Sequence, residues 1–478
     1  MFLILSLTIL ALPSLPAQGG DPADVEPYRE RAGLILRGAL AEGRAWPMLE
    51  ELCTVAPLRL SGSPGAERAV QWALEAMRAA GLENVRAEPC KVPHWERGSR
   101  AELAVLPASA EGAAEPLRIL ALGGSVATPE AGLTAAVVEV KSLDELAALG
   151  ERARGRIVFF NRPMDPALLD TFAAYGGAVD QRTRGASAAA KAGGVAAIVR
   201  SMTTRLDDFP HAGAMRYEEG VERVPAVAVS TLGAERLAGL LRERPDLRVR
   251  LALDCRTHED VESANVVGEL RGAERPEEVV LLGAHLDAWD VGQGASDDGA
   301  GCVQVIEAAR LIAASGAKPR RTIRVVLFAN EENGLRGAFA YAETHADELE
   351  HHVLALESDR GGFVPRGFVS DANPAAMRSL RSLAGLLAEA GAGEVRECGP
   401  GQGGADVWPL SRAGVITAGL LPDPQRYFDV HHCARDTLEQ VSPRELALGA
   451  GVIGALAYGV ANLPERLPAN DPAGNAGR

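Results

Sequence analysis

The apolar positions of this chain fall into three successive textures. Between residues 24 and 80 they recur at helical spacing, with Val70, Ala73, Leu74 and Met77 at i, i+3, i+4 and i+7 and Gly81 where a C′ glycine belongs. A strand-like stretch follows at 84–92. From 117 to 257, short apolar runs at 135–140, 156–160, 196–199 and 224–229 alternate with Ala/Gly-rich turns and a helix near 186–192, so an inserted β-rich domain is expected there. From 263 onward, runs at 279–283, 322–329, 352–356 and 414–420 alternate with helical periodicity at 299–315, 334–345 and 375–390. Such alternation predicts an α/β fold: a mostly parallel sheet with helices on both faces.

The two ends carry further apolar stretches. Residues 2–15 are an unbroken apolar run followed by small residues around Ala17, which reads as a signal peptide over 1–17 and implies an exported protein, secreted or periplasmic. Residues 446–464 approach the length of a membrane span but are rich in Gly and Ala. Ser442-Pro443-Arg444-Glu445 before them is a capping box with Pro at the first helical position, so a buried final helix is expected and no stable membrane span in the mature chain. The resulting organisation is a first part of the main domain at 24–116, the insert at 117–257, a catalytic part at 263–465 and a disordered tail at 466–478.

Composition narrows the function classes. With 478 residues, 47% hydrophobic and 24% charged, the chain has enough apolar surface for two or three domains, and intrinsic disorder is excluded as its main state. A formal net charge of −15 disfavours nucleic acid as a partner. The six cysteines contain no C-x-x-C pair, so neither a thiolate zinc knuckle nor a thioredoxin-type site is indicated.

Candidate chemistry concentrates after the strands of the third region. The segments are His285-Leu286-Asp287, Ser296-Asp297-Asp298-Gly299, Asn330-Glu331-Glu332-Asn333 and Glu357-Ser358-Asp359, with His431-His432 further on. All fall at strand C-terminal ends or in the loops that follow, the edge at which open α/β sheets bind ligands. Zinc accepts imidazole nitrogen and carboxylate oxygen, and two metals about 3.5–4 Å apart need a shared ligand, which a carboxylate provides. One further carboxylate must stay off the metals to take a proton from the attacking water. The doublet Glu331-Glu332 suits that division, one as base and one as ligand, and Asp287 stands where it could orient the His285 imidazole. Singly, an Asp-Asp reads as a helix N-cap and a Glu-Glu as a solvated face. His94, His211, His258, His345 and the His351-His352 pair read as surface or core residues.

The ordered set resembles the family-28 zinc peptidases, through PHWERG at 93–98, HLDAWDVGQGASDDGAG at 285–301, ANEENGLRGAF at 329–339, ESDRGGF at 357–363 and YFDVHHCARDT at 427–437. The middle region resembles the protease-associated domain inserted in many members of that family. The resemblance implies two Zn2+ per chain: His285 and Asp359 on one, Glu332 and His432 on the other, Asp297 between them, Glu331 as general base and Asp287 supporting His285. It implies a cis Asp297–Asp298 bond and a small peptide substrate, most of all an unblocked dipeptide, with an aminopeptidase on longer peptides as the alternative. A non-catalytic binding protein on the same fold is disfavoured because the ligand set is intact. Relatives of this kind often dimerise, which makes a homodimer an expectation by analogy alone. Arg360 stands where relatives carry a small residue, and could either reach the cleft or point away.

Overall fold

The computed structural model describes residues 24–109 and 111–472. The signal-peptide reading at 1–17 lies outside them.

An eight-stranded sheet forms the centre of the larger unit. Its order is Glu83–Val92, Val261–Leu270, Arg321–Phe328, Arg275–His285, His352–Glu357, Thr417–Pro422, Pro365–Ser370 and Glu394–Glu397. The middle four strands run parallel, while Val261–Leu270 and Pro365–Ser370 join that block antiparallel. Their two-residue alternation feeds two cores. Val280, Leu282, Ile323, Val325, Leu327, Leu354 and Leu356 point into the larger one. Val279, Leu281, Val326, Phe328 and Ala355 point to the opposite face, against Ala338 and Tyr341 of helix Arg336–Thr344. Burial on both faces explains why these strands read as continuous apolar runs.

The larger core is closed by helices Glu26–Glu42, Ala45–Val55, Pro64–Ala79, Ala300–Ala314 and Pro443–Asn462. The final helix is long and apolar enough to cross a membrane by length and composition, yet 72% of that window is buried inside the protein. Its glycines allow this. A Cβ at Gly451 would stand 2.9 Å from the Ala39 methyl, and one at Gly454 3.1 Å from Ile35. The Ser442 hydroxyl accepts the Glu445 N–H and caps the helix as the sequence predicts.

A second eight-stranded sheet is built from residues 101–253. Four of its strands, Leu133–Val140, Ile157–Phe160, Ala196–Arg200 and Ala226–Val229, run parallel to one another. Helices Leu143–Leu149, Gly185–Lys191 and Thr231–Glu243 accompany them, so the region is itself α/β rather than simply β-rich. Strand Ala101–Val105 also belongs to this sheet although it precedes residue 117. The chain passes between the two sheets at two places only among the described residues. There Trp95–Glu96 and Arg256–Thr257 pair as an antiparallel ribbon.

The expectation of disorder from 466 is corrected for the described part of the tail. Leu467 is buried in the large core, and the Asn470 N–H donates to the Gly414 carbonyl at 3.0 Å. The Asn470 side chain accepts from the Asn373 N–H at 2.9 Å, so one apolar anchor and a set of hydrogen bonds hold the segment. All six cysteines are free thiols.

Ile306, fully buried in helix Ala300–Ala314, tests this packing. Ile306→Ala should lower unfolding free energy by about 3 kcal/mol in a denaturant titration.

Candidate metal centre and cleft

The four parallel strands end at one edge of the sheet, and each leads into a candidate ligand. His285 is the last residue of its strand, and Asp359 lies two residues past strand His352–Glu357. Glu331 and Glu332 follow strand Arg321–Phe328, and His432 follows strand Thr417–Pro422 by way of the turn Pro424–Asp429. Asp297 sits just before helix Ala300–Ala314, and its bond to Asp298 is cis. Asn330 and His432 both adopt left-handed backbone, φ +67° and +61°. The Asn330 side chain is suited to this because its Oδ1 accepts the Arg336 N–H locally.

The sequence-selected residues come together. The Asp297 carboxylate stands between two groups: Oδ1 is 3.3 Å from His285 Nε2, and Oδ2 is 3.3 Å from His432 Nε2. Asp359 Oδ1 is 3.4 Å from His285 Nε2, and Glu332 Oε2 is 3.0 Å from His432 Nε2. Ligands at about 2.0–2.1 Å around a tetrahedral zinc stand about 3.3 Å apart. Asp297 Oδ2, Glu332 Oε1, Asp359 Oδ1 and His432 Nδ1 are buried without a hydrogen-bond partner. The donor set and its unsatisfied oxygens therefore fit metal cations.

Electrostatics point the same way. Desolvation, joined by the Asp297 charge, pushes the Glu332 carboxyl well above the usual range. Desolvation likewise raises Asp359, with Asp297 adding to it. Desolvation opposes charge on His285, but Asp359 and Asp297 outweigh it and hold the imidazole well above its ordinary value. His432 is pushed down to about 3, mainly by burial, which leaves it neutral and able to donate a lone pair. Glu331 is pushed up to about 8 by desolvation and by Asp359, Asp287 and Asp297, a range suited to proton exchange near neutrality.

Asp287 serves a different contact from the one expected of its carboxylate. His285 Nδ1 lies 3.0 Å from the Asp287 backbone carbonyl and 3.8 Å from its carboxylate. The carboxylate instead accepts the Glu331 N–H at 2.9 Å and the Ser61 hydroxyl at 3.0 Å. Asp287 thus positions the segment that carries Glu331. Asp298 accepts the N–H groups of His285 and Gly301, both at 3.1 Å, the capping role its position suggests.

Sequence reasoning missed the residues that brace this edge. Arg59 is fully buried and donates to the carbonyls of Leu286, Gln293 and Gly294 at 2.7, 2.6 and 2.7 Å. Asp436 accepts the N–H groups of Ser296 and Asp297 at 2.6 and 3.1 Å. His431 stacks on His432 with ring centroids 3.5 Å apart, enclosed by Tyr175, Tyr427 and Phe428. Tyr175 comes from the second sheet's unit, and so does the Ala212 N–H that donates to the His432 carbonyl at 2.7 Å. Of the other histidines, His211 is buried in that unit, and His345 and His352 both contact Tyr341 on the far face.

Two cavities flank the cluster. One of about 440 Å³ is lined by Phe172, Glu357, Asp359, Arg360, Trp408 and Leu420. Arg360 reaches into it, with its guanidinium 4.8 Å from the centre of the Phe172 ring. The other, of about 520 Å³, lies beside Glu331 and Glu332. A buried cation, Arg182, stands near. It donates to the Tyr175 hydroxyl at 2.7 Å, its Nε and Nη1 have no partner, and its charge helps depress His431 and His432.

The sequence pattern of peptidase family M28 matches residues 265–456. Carboxypeptidase Q of Homo sapiens is 36% identical over 428 residues, covering 90% of this chain and 87% of that protein. Carboxypeptidase Q of Rattus norvegicus is 37% identical over 448 residues, 93% of this chain and 92% of that one. The crystal structure of a peptidase M28 precursor from Shewanella amazonensis superposes with a TM-score of 0.88 at 35% identity, covering 94% of this chain and all of that one. A zinc aminopeptidase from Bacillus subtilis shares the fold, with a TM-score of 0.64 at 19% identity over 89% of this chain and 97% of that one.

Arg59→Leu would strand three buried carbonyls. It should cost about 3 kcal/mol or more in stability and lower the metal held per chain, measured by denaturation and elemental analysis.

Proposed function

This chain belongs to peptidase family M28, a metallopeptidase family, and we propose that within it the protein is a di-zinc exopeptidase acting on unblocked dipeptides. The observation that carries the reading is the Asp297 carboxylate, whose two oxygens face two separate His–carboxylate pairs. His285 and Asp359 would hold one zinc, Glu332 and His432 the other, and Asp297 both. The zinc aminopeptidase on the same fold makes zinc the metal to expect. When bound, zinc supplies a Lewis acid that acidifies water and polarises the scissile carbonyl.

The chain's own residues do the rest. Glu331, left off the metals, takes the proton of the attacking water and delivers it to the departing amine. Asp287 fixes Glu331 through the backbone, so base and ligands keep register. The cavity beside Asp359 receives one side chain of the substrate, with Arg360 and Phe172 in its wall. We assign Arg182 as the counter-charge for a free C-terminal carboxylate, which favours a dipeptide over a longer chain: it is buried, its Nε and Nη1 have no partner, and its charge reaches His431 and His432. We take the second sheet's unit to be a protease-associated insert that supplies this cation.

A matched panel of a free dipeptide, its N-acetylated and C-amidated forms and a longer peptide tests the reading by mass spectrometry of products. Cleavage confined to the free dipeptide supports it. Cleavage of the amidated and longer peptides, with the acetylated one spared, makes the protein an aminopeptidase instead.

Two substitutions separate the roles. Glu331→Gln should lower kcat by roughly 10²–10⁴-fold while zinc per chain stays at the wild-type level. Arg182→Ala should lower kcat/KM for the free dipeptide by roughly 30-fold, about 2 kcal/mol, and leave any residual turnover of the amidated peptide nearly unchanged.

A further inference from the structure

A second cluster of metal-type side chains lies outside the catalytic edge. His94 Nε2 is 3.5 Å from Glu96 Oε1, and His258 Nε2 is 3.3 Å from Glu96 Oε2. The two imidazole rings stack with centroids 4.5 Å apart and 28° between their planes, so both nitrogens face one carboxylate. The three ligand atoms lie within 4.8 Å of one another. Charge-assisted hydrogen bonds are shorter, about 2.7–2.9 Å. The separations match instead those among His285, Asp297 and Asp359, the spacing of ligands around a common cation.

The position gives the cluster a meaning. Glu96 lies in strand Trp95–Glu96, by which the chain leaves the main sheet, with His94 just before it, and His258 follows strand Arg256–Thr257, by which the chain returns. Thr257 pairs with Trp95 and Arg256 with Glu96, and the His258 N–H donates to the His94 carbonyl at 2.9 Å. The next residue on the outgoing strand, Arg97, donates to Asp290 at 3.0 Å in the loop between His285 and Asp297. His94 and His258 also line the 520 Å³ cavity that contains Glu331 and Glu332. The ribbon is thus in direct contact with the catalytic loop and holds the covalent connections of the second unit.

We propose that His94, Glu96 and His258 form a separate site for a borderline divalent cation such as zinc, and that the bound cation clamps the two connecting strands together. Two imidazoles and one carboxylate are a donor set for Zn2+ or Cu2+ rather than for Mg2+ or Ca2+, which prefer oxygen alone. Three protein ligands leave room for water, and the side chains remain partly exposed, so the ion exchanges with solvent. Tying the strands at this point fixes how the second unit stands over the cleft.

The test compares full-length wild type with His258→Ala and Glu96→Gln after equilibration with micromolar free zinc. Elemental mass spectrometry should find one zinc per chain fewer in each variant than in wild type, whatever number the catalytic cluster holds. Circular dichroism and gel filtration establish that the variants fold. Equal zinc counts in the three proteins would overturn the site and leave an imidazole–carboxylate ion pair only. Micromolar zinc should also raise the unfolding midpoint of wild type more than that of the variants. Equal rises, with the extra zinc nevertheless lost, would overturn the clamp.

Discussion

Negative charge packed into a closed space is the constraint on which this structure turns. Asp297, Glu331, Glu332 and Asp359 converge at one sheet edge, with Asp298, Glu357 and Asp436 just behind. Desolvation disfavours charge on all of them and raises every one but Asp297, which His285 and His432 hold below the usual carboxylate range. A cation relieves that crowding; of the two imidazoles, His285 is held well above its ordinary value, and His432 is pushed down to about 3. Four buried oxygens in it, on Asp297, Glu332, Glu357 and Asp359, have no hydrogen-bond partner. A metal cation, which a metallopeptidase of this family uses, would also balance the charge of this ligand set.

Order in that cluster comes from buried residues that hold its backbone. Arg59 closes the 286–294 loop by its three carbonyls, Asp436 holds the backbone at Asp297, and Asp287 holds the backbone at Glu331. The second unit adds Tyr175 to the aromatic wall at His431 and the hydrogen bond to His432. Phe363, Tyr427, Phe428 and Val430 of the main unit pack in one core with Met164, Ala174 and Phe160 of the second, so the two units share a seam rather than a mere tether.

The main sheet and the ligands were legible for a physical reason. Its central strands are buried on both faces, so each is an apolar run, and each ligand follows such a run by one to four residues or caps the next helix. His432 was reached through resemblance instead, since a turn separates it from its strand. Arg59 and Arg182 were illegible. The carbonyls that Arg59 holds lie far off in sequence, 227 residues in the case of Leu286, and neither the arginine of LRLSGS nor the pair in QRTRGA has a local signature. The second sheet was read too simply. Its helices are short and alanine-rich, and strands Ala101–Val105 and Arg248–Leu253 alternate too weakly to stand out beside their charged neighbours. The tail was misjudged because Leu467 is one apolar residue in a polar stretch, and its burial depends on a surface made elsewhere.

The placement of the second unit inside the main one has a consequence for biosynthesis. Among the described residues strand Glu83–Val92 finds its only partner in Val261–Leu270, and every ligand proposed for the catalytic cluster is made later still. A ribosome therefore completes the second sheet while the first sheet is still a set of helices and one unpaired strand. At about 5–20 residues per second, roughly 7–30 s separate His285 from His432. Assembly of the catalytic ligand set comes last, beside a second unit whose sheet is already complete, so a newly made chain is an inactive peptidase until its final quarter has joined the sheet.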